Sequence, residues 1–280
     1  MSLFISSLNS GSNGNCYYIG NNNEAILVDA GISCREVERR MKRLDLEPSR
    51  IKAIFVSHEH GDHITGIPAL SKKYRVPVYI TDDTLRSAAI PIEEELIQNF
   101  KAYQSINIGG LAITPFPKSH DAIDPHSFMV EGGGVRVGVF TDIGSSCRHV
   151  IHHFGQCDAA FLESNYCEQM LEKGSYPYYL KQRIRGGKGH LSNNEALHLF
   201  RKYKGSQLRV LILSHLSRNN NSPDIVDDLF KKEAGEVQIV VASRYKETPV
   251  YPILPSSSAP GSKLLQPAML HETIQLSLFQ

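Results

Sequence analysis

The sequence has few of the features that would assign a function at once. It has no Trp, its 5 Cys form no CxxC pair, and 30 Lys and Arg nearly balance 29 Asp and Glu. An odd number of scattered cysteines argues against a disulfide framework or a thiolate zinc site and favours a reducing cytoplasm. A net charge of +1 leaves no overall positive field that would attract nucleic acid from a distance.

Long apolar runs are also missing. No stretch approaches the ~20 apolar residues that a membrane-spanning helix needs, so we expect no membrane partner. Residues 1–7 turn polar quickly and contain no positive charge, which argues against a signal peptide. We therefore expect a cytoplasmic protein, and its 280 residues are enough for one large core or two small ones.

Short runs rich in β-branched and aromatic residues predict strands along most of the chain. These runs are 3–8, 16–19, 25–28, 53–56, 78–80, 111–116, 127–130, 135–140, 159–162, 210–213 and 237–241. Helical spacing of apolar residues predicts helices at 33–44 and 192–203, the second begun by a capping box of Ser192 and Glu195. Many strands with helices between them indicate a layered α/β or α+β domain.

The composition changes near residue 253. Residues 254–262 are rich in Pro and Ser and predict a flexible linker, since they suit neither a helix nor a sheet. We therefore expect a catalytic domain at 1–253 and a linker with a C-terminal tail at 254–280.

A histidine-rich segment with the sequence HEHGDH follows the predicted strand 53–56. Imidazole and carboxylate groups are ligands that suit zinc, iron or manganese. The spacing of His58 and His60 lets an extended strand end point both side chains the same way. We expect Gly61 to let the chain turn sharply, so that Asp62 and His63 face a second position nearby. The alternative is a solvated histidine-rich loop.

Two adjacent ions need further ligands, including an acidic group that bridges them. His120, Asp142 and His215 each follow a predicted strand and are candidates. A single His or Asp after a strand is more often a turn or cap residue. Together, however, these three residues would complete two metal sites.

These motifs resemble the five-motif pattern of the metallo-β-lactamase superfamily. The resemblance implies an α+β fold, a four-layer αββα sandwich with two divalent metal ions in a cleft between the sheet edges. One ion would bind His58, His60 and His120, the other Asp62, His63 and His215, and Asp142 would bridge them. Asp29 matches the first motif, an Asp that supports the site from behind the ligands. Imidazole and carboxylate ligands accept Zn, Mn or Fe.

Two further segments resemble tRNase Z-like phosphodiesterases. Glu163 ends a predicted strand, and His190 lies in a GHLS segment just before a helix cap. The departing alkoxide of a phosphodiester is a poor leaving group, and an imidazolium held by a carboxylate can donate a proton to it. The resemblance makes His190, Glu163 and Asp142 the catalytic candidates, although a simple ion pair or a helix-start residue is the alternative. The nearby Arg183, Arg185 and Lys188 are candidates for binding phosphates, or else form a solvated face.

Five segments together resemble the YycJ/WalJ family of nucleases. They are SGSNGNC at 10–16, SHDA at 119–122, ESN at 163–165, GHLSN at 189–193 and LSHLS at 213–217. The resemblance implies a 5′-to-3′ DNA exonuclease in replication-linked repair, with DNA as substrate. A small-molecule or cyclic phosphodiester hydrolase is the alternative, and a non-catalytic adaptor bound to a sliding clamp is a third.

The last residues resemble the pentapeptide with which bacterial replication and repair proteins bind the sliding clamp. Leu276, Leu278 and Phe279 offer apolar side chains in a short extended peptide, and Gln275 could orient it by hydrogen bonds. The resemblance makes the sliding clamp a candidate partner. Attachment to a clamp would raise the local concentration of DNA and so offset the low net charge. An amphiphilic tail folded onto the domain is the alternative.

Overall fold

The computed structural model describes residues 2–255. Within that range the strands are β1 (Leu3–Asn9), β2 (Cys16–Gly20), β3 (Ala25–Val28), β4 (Ile51–Phe55), β5 (Val78–Tyr79), β6 (Ile97–Gln98), β7 (Ile106–Ile108), β8 (Leu111–Pro117), β9 (His126–Gly132), β10 (Val135–Phe140), β11 (Ala159–Glu163), β12 (Val210–Ser214), β13 (Gln238–Val241) and β14 (Tyr251–Ile253). The predicted C-terminal tail, including the clamp-binding candidates, lies outside the described residues.

The helices of the same range connect these strands. They are α1 (Cys34–Arg43), α2 (Gly61–Ile64), α3 (Ile67–Tyr74), α4 (Asp82–Ala88), α5 (Arg148–Phe154), α6 (Glu168–Lys173), α7 (Tyr178–Arg185), α8 (Asn193–Tyr203) and α9 (Pro223–Lys231). Short 3₁₀ turns cover Pro48–Arg50 and Glu94–Leu96. None of the helices between residues 2 and 255 is long and apolar enough to cross a membrane.

The described strands form two mixed sheets of seven strands each. The first sheet has the order β14-β1-β2-β3-β4-β5-β6, antiparallel up to β3 and parallel beyond it. The second has the order β13-β12-β11-β10-β9-β8-β7, parallel up to β10 and antiparallel beyond it. Parallel neighbours need long crossover connections, and the helices supply most of these.

Apolar side chains fill the space between the two sheets and cover both outer faces. The inner cluster joins Ile5 and Phe55 of the first sheet to Phe128 and Phe161 of the second. A second cluster packs α5, α8 and α9 on the outer face of the second sheet. A third packs α1 and α3 on the outer face of the first. The order helix, sheet, sheet, helix is the predicted α+β sandwich.

The eleven apolar runs that predicted strands all form strands in residues 2–255. Sheet strands that are buried on both faces consist of nearly continuous apolar residues, so they are easy to identify in a sequence. The strands that this reasoning missed, β6, β7 and β14, have only two or three residues each. Both predicted helices form, and α8 begins with the predicted capping box of Ser192 and Glu195.

We expect Phe128→Ala to lower the free energy of unfolding by about 3–5 kcal/mol, because it empties a packed site between the sheets. The Phe128 ring is buried, with its centroid 5.6 Å from that of Phe55 and 5.7 Å from that of Phe100. Urea unfolding at fixed metal concentration measures the change. Ile123→Ala is the control, since Ile123 is 61% exposed and should change stability by less than about 0.5 kcal/mol. Equal shifts in both variants would contradict this packing.

Candidate metal centre

The predicted ligands lie where strands of both sheets end at one edge of the sandwich. His58 and His60 follow β4 of the first sheet. His120, Asp142 and His215 follow β8, β10 and β12 of the second sheet. The cluster therefore lies in the gap between the two sheets and needs both of them to form.

The first predicted ligand set is compact. The Nε2 atom of His58 lies 3.1 Å from Nδ1 of His60, and Nε2 of His120 lies 3.4 Å from the same Nδ1. These three nitrogens lie within 4.8 Å of one another, close enough to surround one ion. Burial is the main cause that lowers the pKa of His120 to about 4 and that of His58 well below its usual value. A lowered pKa favours the neutral imidazole, which is the form that binds a metal ion.

The second predicted set comes together around α2. The Oδ2 atom of Asp62 lies 3.6 Å from Nε2 of His63 and 3.6 Å from Nε2 of His215. Donor atoms of these three residues also lie within 4.8 Å of one another. The expected role of Gly61 is wrong, however. Gly61 is not left-handed, and an added Cβ would meet only Thr65 Oγ1 at 3.9 Å, because the turn is made by the start of α2 itself.

Asp142 lies between the two sets. Its Oδ2 atom is 3.1 Å from Nε2 of His63, and its Oδ1 atom is 3.9 Å from Nε2 of His120 and 3.1 Å from Nδ1 of His215. Oδ2 is buried and accepts no hydrogen bond from the described residues. A buried carboxylate oxygen without a hydrogen bond is unfavourable unless a cation lies against it. A divalent ion would satisfy this atom, so the residues present fit a metal.

The electrostatics of the second set also favour a cation. Burial alone would lower the pKa of His63, but Asp142, Asp29 and Asp62 raise it to about 10. Burial alone would likewise raise the pKa of Asp62, but His63 and His215 lower it to about 2. The carboxylates thus favour positive charge at this position, which a divalent ion would supply.

Asp29 orients His63 from behind, as the family pattern implies. Its Oδ2 atom accepts hydrogen bonds from the Ser57 hydroxyl at 2.8 Å and from His63 Nδ1 at 2.7 Å, and its Oδ1 atom accepts one from Ser57 N at 2.8 Å. Because its Nδ1 atom is hydrogen-bonded to Asp29, His63 presents its Nε2 atom to the other metal-ligating atoms of the second set.

Three residues of the centre have left-handed backbones. Asp29, Asp142 and His215 have φ values of 61°, 54° and 56°, and each lies at the end of a strand. This conformation is uncommon for residues other than glycine and persists only where the surrounding structure holds it. It turns each side chain away from the strand direction and into the gap between the sheets.

Glu163, at the end of β11, is fully buried and accepts four hydrogen bonds. Its Oε1 atom accepts from His190 Nδ1 at 2.8 Å and from His215 Nδ1 at 3.0 Å. Its Oε2 atom accepts from the backbone N of Ile143 at 2.6 Å and of Leu191 at 3.2 Å. Burial alone would raise the pKa of Glu163, but the charge and hydrogen bonds of the two imidazoles lower it to about 2. One carboxylate therefore orients both the candidate acid and a candidate ligand.

His190 lies at the mouth of this centre. Its side chain is 23% exposed, and its Nδ1 atom is 3.8 Å from Oδ1 of Asp142. Because Nδ1 faces Glu163, the Nε2 atom is the one available to a substrate. His190 also lines a cleft of about 450 Å³ whose floor includes His60, Asp142 and His215.

The cationic residues predicted to bind phosphate are not placed alike. Arg183 lines the cleft, with its Nε atom 2.5 Å from Oδ2 of Asp121. Arg185 instead donates to Glu172 at 2.6 Å and lines a separate surface depression. Lys188 is exposed in the loop after α7 and does not line the cleft.

The SGSNGN segment contains supporting residues that the sequence reasoning did not assign. The buried Asn15 amide donates to Oδ2 of Asp62 at 3.1 Å and lies 3.0 Å from Nε2 of His63. The Ser10 hydroxyl accepts from the backbone N of His215 at 2.7 Å. A polar, Gly-rich run directly before a buried strand was the available signal.

A buried lysine was also missed. The Lys118 ammonium donates to the carbonyl oxygen of Thr141 at 2.7 Å, one residue before Asp142. Burial lowers its pKa, although Asp142 and Asp29 partly oppose this. Lys118 thus holds the backbone that carries Asp142.

Known proteins resemble this chain in sequence and in fold. The family described as "Beta-lactamase superfamily domain" matches residues 24–216. A Bacillus anthracis protein named Exodeoxyribonuclease YycJ is 31% identical over 230 residues, covering 80% of this chain and 86% of the relative. Exodeoxyribonuclease WalJ of Streptococcus pneumoniae is 27% identical over 262 residues, covering 92% and 96%.

Among solved structures, the metallo-β-lactamase fold protein YhfI from Bacillus subtilis superposes with a TM-score of 0.70 at 16% identity. It covers 90% of this chain and 100% of its own. At that identity the likeness concerns the fold alone. The chain therefore belongs to the metallo-β-lactamase-fold superfamily of metal-dependent hydrolases, and within it to the YycJ/WalJ family.

Proposed function

We propose that this protein is a dinuclear metal-dependent phosphodiesterase that degrades DNA as a 5′-to-3′ exonuclease in replication-linked repair. The observation that carries the proposal is the hydrogen bond of 2.8 Å between His190 and Glu163, placed beside the cluster of metal-ligating donors. A nuclease needs both a metal centre and a proton donor for the leaving oxygen. The names of the YycJ and WalJ relatives favour DNA as the substrate.

The two compact donor sets would hold two divalent ions. His58, His60 and His120 would hold one, Asp62, His63 and His215 the other, with Asp142 between them. Zn, Mn and Fe all accept such imidazole and carboxylate ligands. Bound ions would supply Lewis-acid stabilisation of the phosphate charge and a nucleophile at neutral pH.

The protein's own groups would then position and protonate the substrate. Glu163 holds the imidazole of His190 by its Nδ1 atom, so that Nε2 can donate a proton to the leaving 3′ oxygen. An oxygen from water would become bonded to phosphorus as the bond between phosphorus and that 3′ oxygen breaks. The released nucleotide would then have a 3′ hydroxyl, and the shortened strand would have a new 5′ phosphate. Arg183, at the wall of the cleft, offers a positive charge to the substrate backbone.

One observation favours a second candidate, a hydrolase of small or cyclic phosphodiesters. The cleft of about 450 Å³ has the volume of a small-molecule site. The same ligands and the same His190 would serve this reaction. Whether the substrate is DNA or a small phosphodiester therefore depends on the contacts that a long substrate can make outside the cleft.

Asp142→Asn should lower bound metal from about two ions per chain to one or none, because an amide contributes no negative charge between the two sets. Metal analysis by mass spectrometry after dialysis measures the content. Asp124→Asn is a suitable control, since the Asp124 side chain is 38% exposed. Unchanged metal content in Asp142→Asn would contradict the bridging role.

His190→Ala should lower kcat for end-labelled duplex DNA with Mn²⁺ by about 10²–10⁴-fold, the range for loss of a general acid, with metal content unchanged. His198→Ala is the matched control, because His198 is an exposed histidine on α8. Wild-type protein that cleaves bis-p-nitrophenyl phosphate or cyclic nucleotides but not DNA would support the second candidate. Equal activity of His190→Ala and wild type would exclude the proposed acid.

The DNA-directed role also includes the sliding clamp as a proposed partner, by way of Gln275, Leu276, Leu278 and Phe279. Replacing Leu278 and Phe279 with Ala should abolish capture of the full chain by an immobilised bacterial clamp, because those side chains would fill its apolar pocket. Replacing Leu264 and Leu265 is the control, since that pair lies outside the pentapeptide. Equal capture of both variants would exclude this mode of attachment.

A further inference from the structure

One wall of the cleft is formed by α7 and the residues before it. Tyr176, Leu180 and Arg183 line the cleft along this wall. Tyr179 does not itself line the cleft, but it directly precedes Leu180 and lies one turn before Arg183, so it lies on the surface of α7 next to this wall. Tyr178 lies two residues before Leu180, so it is on the side of α7 opposite to the cleft.

The side chain of Tyr179 is available to a ligand. Tyr179 is 74% exposed, and no hydrogen bond or ring contact with residues 2–255 engages its side chain. Tyr176 is anchored instead, since its hydroxyl accepts a hydrogen bond of 3.0 Å from the Asn219 amide. Tyrosine is enriched at binding surfaces because its ring is apolar and its hydroxyl is polar.

The charge of the same wall suits a polyanion. Residues 176–188 contain four cationic side chains, Lys181, Arg183, Arg185 and Lys188, and no Asp or Glu. Two of these cations pair with acidic residues outside the segment, Arg183 with Asp121 and Arg185 with Glu172. Lys181 and Lys188 form no ion pair with a carboxylate of the described residues.

We propose that Tyr179 and Tyr176, with Arg183 beside them, form a stacking wall for the unpaired bases of single-stranded DNA that leads into the cleft. This inference rests on the proposed nuclease function and specifies its substrate. Every base has a flat aromatic face, so stacking on tyrosine binds single strands of any sequence. A cleft of about 450 Å³ has the volume of a small-ligand site, so it admits an unpaired nucleotide more readily than a base pair.

The test measures binding apart from cleavage. Wild-type protein with its metal is titrated against a fluorescent single-stranded oligodeoxynucleotide with phosphorothioate linkages, and anisotropy gives Kd. Tyr179→Ala should weaken binding by about fivefold to a hundredfold, the range for loss of one stacked base. Tyr179→Phe should bind like wild type, because it keeps the ring. Tyr178→Ala is the matched control, since Tyr178 is 76% exposed on the same helix and should bind normally.

A second arm separates stacking from a general effect on the fold. Four strands are compared, each with a single abasic site at a different one of the first four positions from the 5′ end. Wild-type protein should bind one of these strands as weakly as Tyr179→Ala binds the intact strand. For that strand, Tyr179→Ala should cause no further loss. The proposal would be overturned if the losses of affinity from Tyr179→Ala and from the abasic site were additive at every position. It would also be overturned if Tyr178→Ala and Tyr179→Ala bound the strand equally, or if blunt duplex DNA competed as well as single-stranded DNA. Cleavage of DNA is measured separately, so a failed stacking wall would leave the nuclease function intact.

Discussion

Carboxylates that are buried together need positive charge, and the candidate metal centre is arranged around this requirement. Asp29, Asp142 and Glu163 are almost completely buried. Asp29 and Asp142 lie against His63, and Asp142 and Glu163 lie against His215. Removing such charges from water is unfavourable by several kcal/mol each unless cations and hydrogen bonds compensate. Hydrogen bonds from the facing imidazoles supply part of this compensation, and divalent ions at the two donor sets would supply positive charge.

The sandwich holds this arrangement by restraining the backbone at the ends of strands. Asp29, Asp142 and His215 adopt left-handed conformations that a free chain would rarely populate. Each follows a strand that is paired on both sides, so sheet pairing fixes the position at which the unusual turn occurs. The free energy of the core thus maintains local strain where side chains must converge.

Supporting contacts connect the centre to its surroundings. Glu163 hydrogen-bonds to His190 at the mouth of the cleft and to His215 within the cluster. The amide of Asn15 holds Asp62, and this brings the N-terminal Gly-rich segment into the centre. The position of His190, the proposed proton donor, therefore depends on the same carboxylate that orients a candidate ligand. The candidate metal centre and the cleft above it thus lie at one edge of the sandwich.

Much of the fold and of the candidate metal centre could be predicted from local sequence patterns. Strands buried on both faces appear as apolar runs, and HEHGDH concentrates imidazoles where a strand ends, so the layered fold and the candidate ligands follow from short-range order. Hydrogen bonds between residues that are far apart in the sequence cannot be recognised from such local patterns. The left-handed φ angles, the contact of Asn15 with Asp62 and the contact of Arg183 with Asp121 arise when segments that are distant in the sequence pack together. Residue type and spacing in the sequence identify the side chains that can bind a metal ion. Only the tertiary structure determines which of these side chains come together, because they lie on segments that meet through long-range packing.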